Sequence, residues 1–346
     1  ARFRERGFVT LRKVLSAREV RHRVRLHAKD GNDGGKGRTI PLSKALPVCC
    51  EAIFDSRAIY GEKKPDNFES FFRLHNVWRN SRFLRQLVFA PRFAEIAADL
   101  MGVSAVKLYQ DSLFVKMAGH NASRWHQDHV AAPFVKNDMA DGGLRMVTMW
   151  LPLQKVTDDE MGALRFAVKS NQDRKIFLPD SPGDGNTIGT LSDSHVRSLF
   201  AVEEAAAHLS NRRLKFGDAS FHDGFTLHGS GPNLSPTTRW ALAVQFVAAD
   251  ITAMTPEAFD QQGPESQHPR LSIGPRVGDD KYSFGEWLRA SAIFGDIAEG
   301  FRVAPVEHPL LPLVWSRDLD ARSQYFKAQD AFEGFQAGSW RPSDFQ

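Results

Sequence analysis

The chain has only two cysteines in 346 residues, and they are neighbours, Cys49-Cys50. Adjacent cysteines supply neither a disulfide framework nor the paired spacing of a zinc cluster, so a reducing, cytoplasmic compartment is the expectation. No apolar run reaches membrane-spanning length, and no leader pattern opens the sequence. Because the first residue is Ala1 rather than Met, a segment removed from the front stays open. Charge of one sign is also scarce: 45 basic against 41 acidic residues leave +4, and the basic residues are scattered. The pI near 9.1 therefore does not point to a nucleic-acid partner. There is no internal repeat and no low-complexity tract, and the Gly- and Asp-rich connector from Asp30 to Arg38 lacks Walker A spacing, which excludes a phosphate loop.

What is present suits one large globular domain with decorations, or two domains, at 42% hydrophobic and 25% charged residues. Near the front, Ser16-Ala-Arg-Glu19 reads as a capping box, which predicts a helix through Val20, Val24 and Leu26. Pro91 should open a helix through Phe93, Ile96 and Leu100 that Gly102 ends. Short strand-like runs follow. Val106 to Met117 places Gln110, Ser112 and Lys116 on one parity with Val106, Leu108 and Phe114, as in a lined pocket. Leu144 to Leu153 carries Met146, Thr148 and Trp150 on one parity, with Trp150 either core packing or a pocket wall. Asn171 to Asn211 interrupts the strands with Pro- and Gly-rich sequence and then a helical rhythm from Val196 to Leu209, and an excursion of that length between strands reads as a lid.

The chemistry concentrates in Trp125-His-Gln-Asp-His129. Residues two apart on a strand share a face, so His126 and Asp128 can aim an imidazole and a carboxylate at one point. His228, in Phe-Thr-Leu-His-Gly-Ser-Gly-Pro-Asn, is the third candidate, and two His with one carboxylate make the facial triad of non-haem Fe(II) oxygenases. With 12 histidines a lone His-x-Asp arises about once by chance. Arg239, eleven residues past His228, narrows this, because it opens the alternating run Arg-Trp-Ala-Leu-Ala-Val-Gln-Phe-Val. There Ala241 and Ala243 share its parity and leave a cavity beside it. His222 is a rival to His228 but lacks the Gly-Ser-Gly-Pro-Asn turn. His129 is read as lining the pocket entrance, His75 as a packed histidine and His120 as a loop residue. Arg73 is a candidate to reach a cosubstrate from a helix, and Asp158-Asp159-Glu160 reads as a solvated turn.

From Lys107 to Val247 the sequence resembles the phytanoyl-CoA dioxygenase-like group of Fe(II)/2-oxoglutarate oxygenases. The likeness rests on Leu-Tyr-Gln-Asp-Ser-Leu-Phe-Val-Lys, Trp-His-Gln-Asp, Val-Thr-Met-Trp-Leu-Pro-Leu, Gly-Ala-Leu-Arg-Phe, Gly-Asp-Ala-Ser-Phe-His-Asp and His-Gly-Ser-Gly-Pro-Asn. It implies Fe(II) held by His126, Asp128 and His228, and 2-oxoglutarate with its far carboxylate on Arg239 assisted by Ser230. Gln110 and Trp150 would line the cosubstrate or substrate pocket. With O2, the cosubstrate would be decarboxylated to succinate and CO2 while a substrate C–H bond is oxidised, and a retained Asp128 favours hydroxylation over halogenation. The sequence departs from the family at Val168-Lys169-Ser170-Asn171, where many relatives carry Gly-Ser-His, and in the long loop from Lys136 to Leu144. Those segments commonly shape the substrate pocket.

The expected fold is mainly β with flanking helices, a double-stranded β-helix of the jelly-roll, cupin-like type. Residues 1–104 would form an N-terminal helical buttress, 105–250 the catalytic core with a lid insert at about 171–211, and 251–346 an extension packed on the core. A helix capped by Ser283 and Glu286 belongs to that last part. The expected partner is a small metabolite, and Lys116, Arg124 and Arg145 near the pocket hint that it is acidic. A zinc hydrolase on the same three residues and a non-catalytic metal-binding module stay open. The first needs neither O2 nor Arg239, and the second yields no succinate.

Overall fold

The computed structural model describes residues 2–16, 23–26, 38–41, 50, 72–79, 81–132, 144–157, 160–172, 174, 191–207, 213–251 and 312–318. In chain order its strands are β1 (Phe8–Leu11), β2 (Arg23–Leu26), β3 (Arg38–Pro41), β4 (Phe72–His75), β5 (Ala105–Lys116), β6 (Ser123–His126), β7 (Met146–Pro152) and β8 (Val156–Thr157). They continue with β9 (Leu164–Ala167), β10 (Val202–Glu204), β11 (Arg213–Leu214), β12 (Ala219–Asp223), β13 (His228–Ser230), β14 (Arg239–Ala248) and β15 (Leu313–Ser316). The α-helices are α1 (Arg2–Arg6), α2 (Arg82–Val88), α3 (Pro91–Met101), α4 (Asp128–Ala131) and α5 (Asp193–Leu199).

Among the described residues eleven of these strands form a jelly roll of two facing sheets, while β2 with β3 and β8 with β11 make separate pairs. The larger runs β1-β12-β7-β14-β5-β15, with β4 also on β5, and the smaller runs β10-β9-β13-β6. Pairing within both is antiparallel. Period-two alternation decides which side chains face outward. On β14, Trp240, Leu242, Val244 and Phe246 join the outer core, against which helix α3 packs. Helix α3 begins at Pro91, buries Phe93, Ala94, Ala97, Ala98 and Met101 along one stripe, and ends at Gly102, whose φ of 76° is the left-handed C-cap that glycine adopts without strain.

The inward residues form a grid fixed by register. One row runs Lys116 to Arg239, the next Phe114 to Ala241, the next Ser112 to Ala243, Trp150 and Ser220, and the last Gln110 to Gln245, Thr148 and His222. Tyr109 is an extra residue on β5, because Gln245 pairs with Gln110 while Phe246 pairs with Leu108. This bulge reverses the facing of the strand's first half. Val106 and Leu108 therefore lie in the outer core with Leu113 and Val115 rather than on the pocket face that simple parity gives them.

Several local expectations change. Residues 23–26 pair as a strand with 38–41 instead of continuing a helix, as the alternation Arg-Val-Arg-Leu with a β-branched centre favours. Residues 1–104 contribute strands as well as helices: β1 pairs with β12 at one sheet edge, and β4 pairs with β5. The helical rhythm from Val196 is cut at Leu199, and Val202–Glu204 pairs with β9 instead. In the C-terminal stretch, β15 adds to the edge of β5. The Lys136–Leu144 loop other than Leu144, Asp158-Asp159, most of the lid excursion and the Ser283 helix lie outside the described residues.

Candidate active site

His228 on β13 pairs directly with His126 on β6, so the small sheet brings the two imidazoles together, with ring centroids 4.2 Å apart. Strand β6 ends at His126. Gln127 stays extended (φ −117°, ψ 129°) and turns its buried side chain away, donating to the Phe225 carbonyl at 2.7 Å. The alternation thus survives long enough to bring Asp128 back beside His126, although Asp128 opens the one-turn helix α4 rather than continuing a strand. Beyond it each residue rotates by about 100° instead of 180°. His129 consequently packs against Phe225, ring to ring at 4.4 Å, and is fully buried, not at the pocket entrance.

The ligand atoms of His126, Asp128 and His228 all lie within 4.8 Å of one another. The two oxygens of Asp128 divide their duties. Oδ1 faces His126 Nε2 at 3.9 Å and His228 Nε2 at 3.6 Å, while Oδ2 accepts from Thr148 Oγ1 at 2.6 Å and stands 3.1 Å from His222 Nε2. His222 therefore meets the outer oxygen and leaves the cluster to the other three. Backbone carbonyls fix the two imidazoles: Nδ1 of His126 lies 3.0 Å from the Arg124 oxygen and Nδ1 of His228 lies 2.9 Å from the Thr226 oxygen. Each Nδ1 then carries the proton, and each Nε2 presents a lone pair toward Oδ1. This is a donor set that one cation can share, with one side left open.

Electrostatics agree with that protonation. Burial, then His228, pushes His126 down to about 4, and burial, then His222, pushes His228 to about 4. Burial alone would raise Asp128, but His228, the His222 hydrogen bond and His126 together pull it well below the usual carboxylate range. Near neutral pH the site holds two neutral imidazoles and one carboxylate. Burial, then Arg73, also takes His75 to about 3, and its Nδ1 lies 3.0 Å from Ser112 Oγ. A histidine ordinarily titrates near 6.5. Between pH 6.5 and about 4 the folded chain thus binds fewer protons than the unfolded chain, so stability rises with pH in that window and is lost as pH falls through it. The metal-free protein is expected to melt at a clearly lower temperature at pH 5 than at pH 7, and a pH-independent melting point would contradict this assignment.

A cavity opens over the cluster. Gln110, Trp150, Ser230 and Arg239 all line it, together with Arg73, Thr148 and His222. Gln110 donates to Gln245 across the β5–β14 pair. At the inner end Arg239 is buried, its Nη1 donates to the Gly162 carbonyl at 2.6 Å, and its guanidinium sits 5.5 Å over the Trp150 ring. Its Nε has no hydrogen-bond partner, and among the described residues no carboxylate pairs with it. A buried, unpaired guanidinium is costly, and an incoming carboxylate would offset that cost.

Lys116 adds an amine here. Its Nζ donates to Ser230 Oγ at 2.8 Å, to the Gly231 carbonyl at 2.7 Å and to the Asn121 carbonyl at 2.9 Å, while burial, then Arg239 and Arg165, push it down to about 6. Arg124 is exposed, and Arg145 is occupied by Asp250 at 2.9 and 3.0 Å, so neither lines the cavity. The turn Val168 to Asn171 does not line it either. Ser170 Oγ accepts the Leu227 amide and Asn171 reaches Asp223, which fastens the approach to His228.

Gly162 shows how tightly the Arg239 end is built. Its φ is +63°, and a Cβ there would lie 2.3 Å from the Gly231 carbonyl oxygen. Gly162→Ala is expected to weaken any carboxylate ligand of Arg239 by moving the carbonyl that orients the guanidinium, as well as lowering stability. An unchanged ligand affinity in a titration would remove Gly162 from the site's support.

Two contributors are not evident as such in the sequence. Thr148 and His222 act on Asp128 from β7 and β12, and only their common row in the sheet register connects them.

Against this geometry, the family model for phytanoyl-CoA dioxygenase (PhyH) matches residues 3–241. The ectoine dioxygenase of Streptomyces avermitilis is 26% identical over 228 residues, covering 61% of this chain and 70% of that protein. That of Streptomyces anulatus is 25% identical over 230 residues, covering 61% and 69%. Among solved structures, the non-heme alpha ketoglutarate dependent epimerase SnoN from nogalamycin biosynthesis aligns at TM-score 0.52 with 19% identity, over 91% of this chain and 96% of its own. The carbocyclase SnoK from the same biosynthesis aligns at 0.50 with 21% identity, over 81% and 92%. At these identities the structural likeness is one of fold. The family model, spanning more than half of the sequence and all of the cluster, settles the kinship: the chain belongs to the phytanoyl-CoA dioxygenase family.

Proposed function

We propose that the protein is an Fe(II)/2-oxoglutarate-dependent oxygenase that hydroxylates an unactivated C–H bond of a small metabolite. The observation that carries this reading is a single cavity with an open two-histidine, one-carboxylate cluster on its wall and, at its inner end, a buried Arg239 that has no carboxylate partner among the described residues. In this reading His126, Asp128 and His228 hold the metal. Their ligand atoms lie within 4.8 Å of one another, close enough for one cation to be shared among them. Bound there, Fe(II) would supply positions for the 2-oxo acid and for O2, and in balance 2-oxoglutarate, O2 and R–H give succinate, CO2 and R–OH.

The protein's own contributions are positional. Thr148 and His222 hold Asp128 Oδ2, which keeps the carboxylate one-pronged and leaves room on the open side. Arg239 takes the far carboxylate of the cosubstrate, with Ser230 and Lys116 beside it, and Trp150 walls the same end. Gln110 and Gln245 line the cavity in the row of Thr148 and serve the substrate side. Family membership sets the zinc hydrolase aside.

The test is turnover of candidate metabolites under 18O2. The expected result is a product that gains one labelled oxygen atom, with one succinate released per product and none without O2. A product lacking two hydrogen atoms and carrying no label would replace hydroxylation by desaturation or ring closure. Turnover without O2 would overturn the oxygenase reading.

A further inference from the structure

Strand β4 reads Phe72-Arg73-Leu74-His75, and its pairing with β5 fixes where each side chain goes. Phe72 pairs with Val115 and Leu74 with Leu113, both of the outer core, whereas Arg73 pairs with Phe114 and His75 with Ser112 on the cavity face. Directly opposed residues of an antiparallel pair share a face, so Arg73 enters the site from a strand rather than from the helix its sequence surroundings had indicated. The strand is pinned. Asp111 accepts the Val77 and Trp78 amides at 3.1 and 3.3 Å just past its end, and His75 meets Ser112 at 3.0 Å.

Arg73 and Arg239 approach the cavity from opposite edges of β5, since β14 lies along one edge and β4 along the other. Their surroundings differ accordingly. Arg73 lies on the cavity face opposite Phe114, within electrostatic reach of Asp128 and His126, while Arg239 donates to Gly162 and sits over Trp150 at the inner end. Arg73 is exposed to the open cavity, and among the described residues no carboxylate lies at ion-pair distance from it.

Charge then decides what it is for. With Fe(II) and a doubly charged 2-oxoglutarate in place, the metal and Arg239 are balanced by Asp128 and the two cosubstrate carboxylates. Arg73 is left as an unbalanced cation on the substrate side, whatever the charge on Lys116. A guanidinium is a fork for a carboxylate. We infer that Arg73 is the substrate-recognising residue of this site and that the substrate carries a carboxylate, held by Arg73 so that a C–H bond elsewhere on the molecule lies over the cluster. This rests on the Fe(II)/2-oxoglutarate reading above and adds the substrate class to it.

The test uses the full chain loaded anaerobically with Fe(II) and 2-oxoglutarate, with 4-phenylbutanoate, octanoate and their primary amides as probes. Binding is read as a perturbation of the visible charge-transfer band. Wild type is expected to bind the carboxylates about tenfold or more tightly than the amides, in line with a charge-assisted hydrogen bond. Arg73→Met should lose that preference, Arg73→Lys should keep part of it, and the 2-oxoglutarate midpoint should not move in either. Equal binding of acids and amides by wild type, including no measurable binding of both, would overturn the inference. So would a preference that survives Arg73→Met, or a weakened 2-oxoglutarate midpoint in that variant, which would assign the cation to the cosubstrate. Failure of the band to form in wild type would instead bring down the underlying reading, which separates the two failures.

Discussion

Replacing His126 or Asp128 with alanine is expected to abolish Fe(II)-dependent succinate formation. Among the described residues His126, Asp128 and His228 are the donor set, and each stands alone at its corner of the cluster. His222 cannot substitute, because its Nε2 faces Asp128 Oδ2 and lies outside the group of mutually close ligand atoms. Asp128→Ala has a second consequence. Thr148 and His222 both lose the oxygen they hold, so the walls of the site lose their fixed orientation together with the metal. The measurement is succinate release at saturating Fe(II) alongside a circular dichroism check of the fold. Retained turnover in either variant would sink the triad.

The second large effect is expected from Arg239→Ala, as a loss of about two to three orders of magnitude in 2-oxoglutarate affinity. The guanidinium is 2% exposed, is pushed down to about 10 by burial, and remains the charged partner that a buried carboxylate would need. Removing one partner of a buried ion pair costs about 3–5 kcal/mol, and about 1.4 kcal/mol is a factor of ten. Fe(II) binding should be untouched, since Arg239 lies with Trp150, Gly162 and Lys116 rather than with the histidines. Unchanged cosubstrate affinity in an isothermal or spectroscopic titration would remove the assignment.

How much of this could be read from the residues follows the reach of local patterning. Helix α3 was legible to its ends because Pro91 and Gly102 are local signals. The two faces of β14 were legible because Trp240 to Phe246 alternates without interruption. The convergence of His126, Asp128 and His228 was legible through the motif spacing, even though the strand carrying the first two breaks between them. Long-range register was not. The bulge at Tyr109 turns half of β5 over, and the alternation of Val106, Leu108 and Gln110 runs through it without a local mark. His129 was misplaced because one helical turn replaces the strand just after Asp128. Arg73 was assigned to a helix in an aromatic, charged stretch with weak periodicity, and it is the pairing with Phe114 that orients it. Thr148 and His222 become partners of one oxygen only across a sheet whose strands lie far apart in sequence.

The most direct measurement is an anaerobic titration of the metal-free protein with Fe(II) and then 2-oxoglutarate, followed by the visible charge-transfer band of the chelate. The band is expected in wild type and absent in His228→Ala. No band from wild-type protein that remains folded would contradict the shared metal and cosubstrate site on which this account stands.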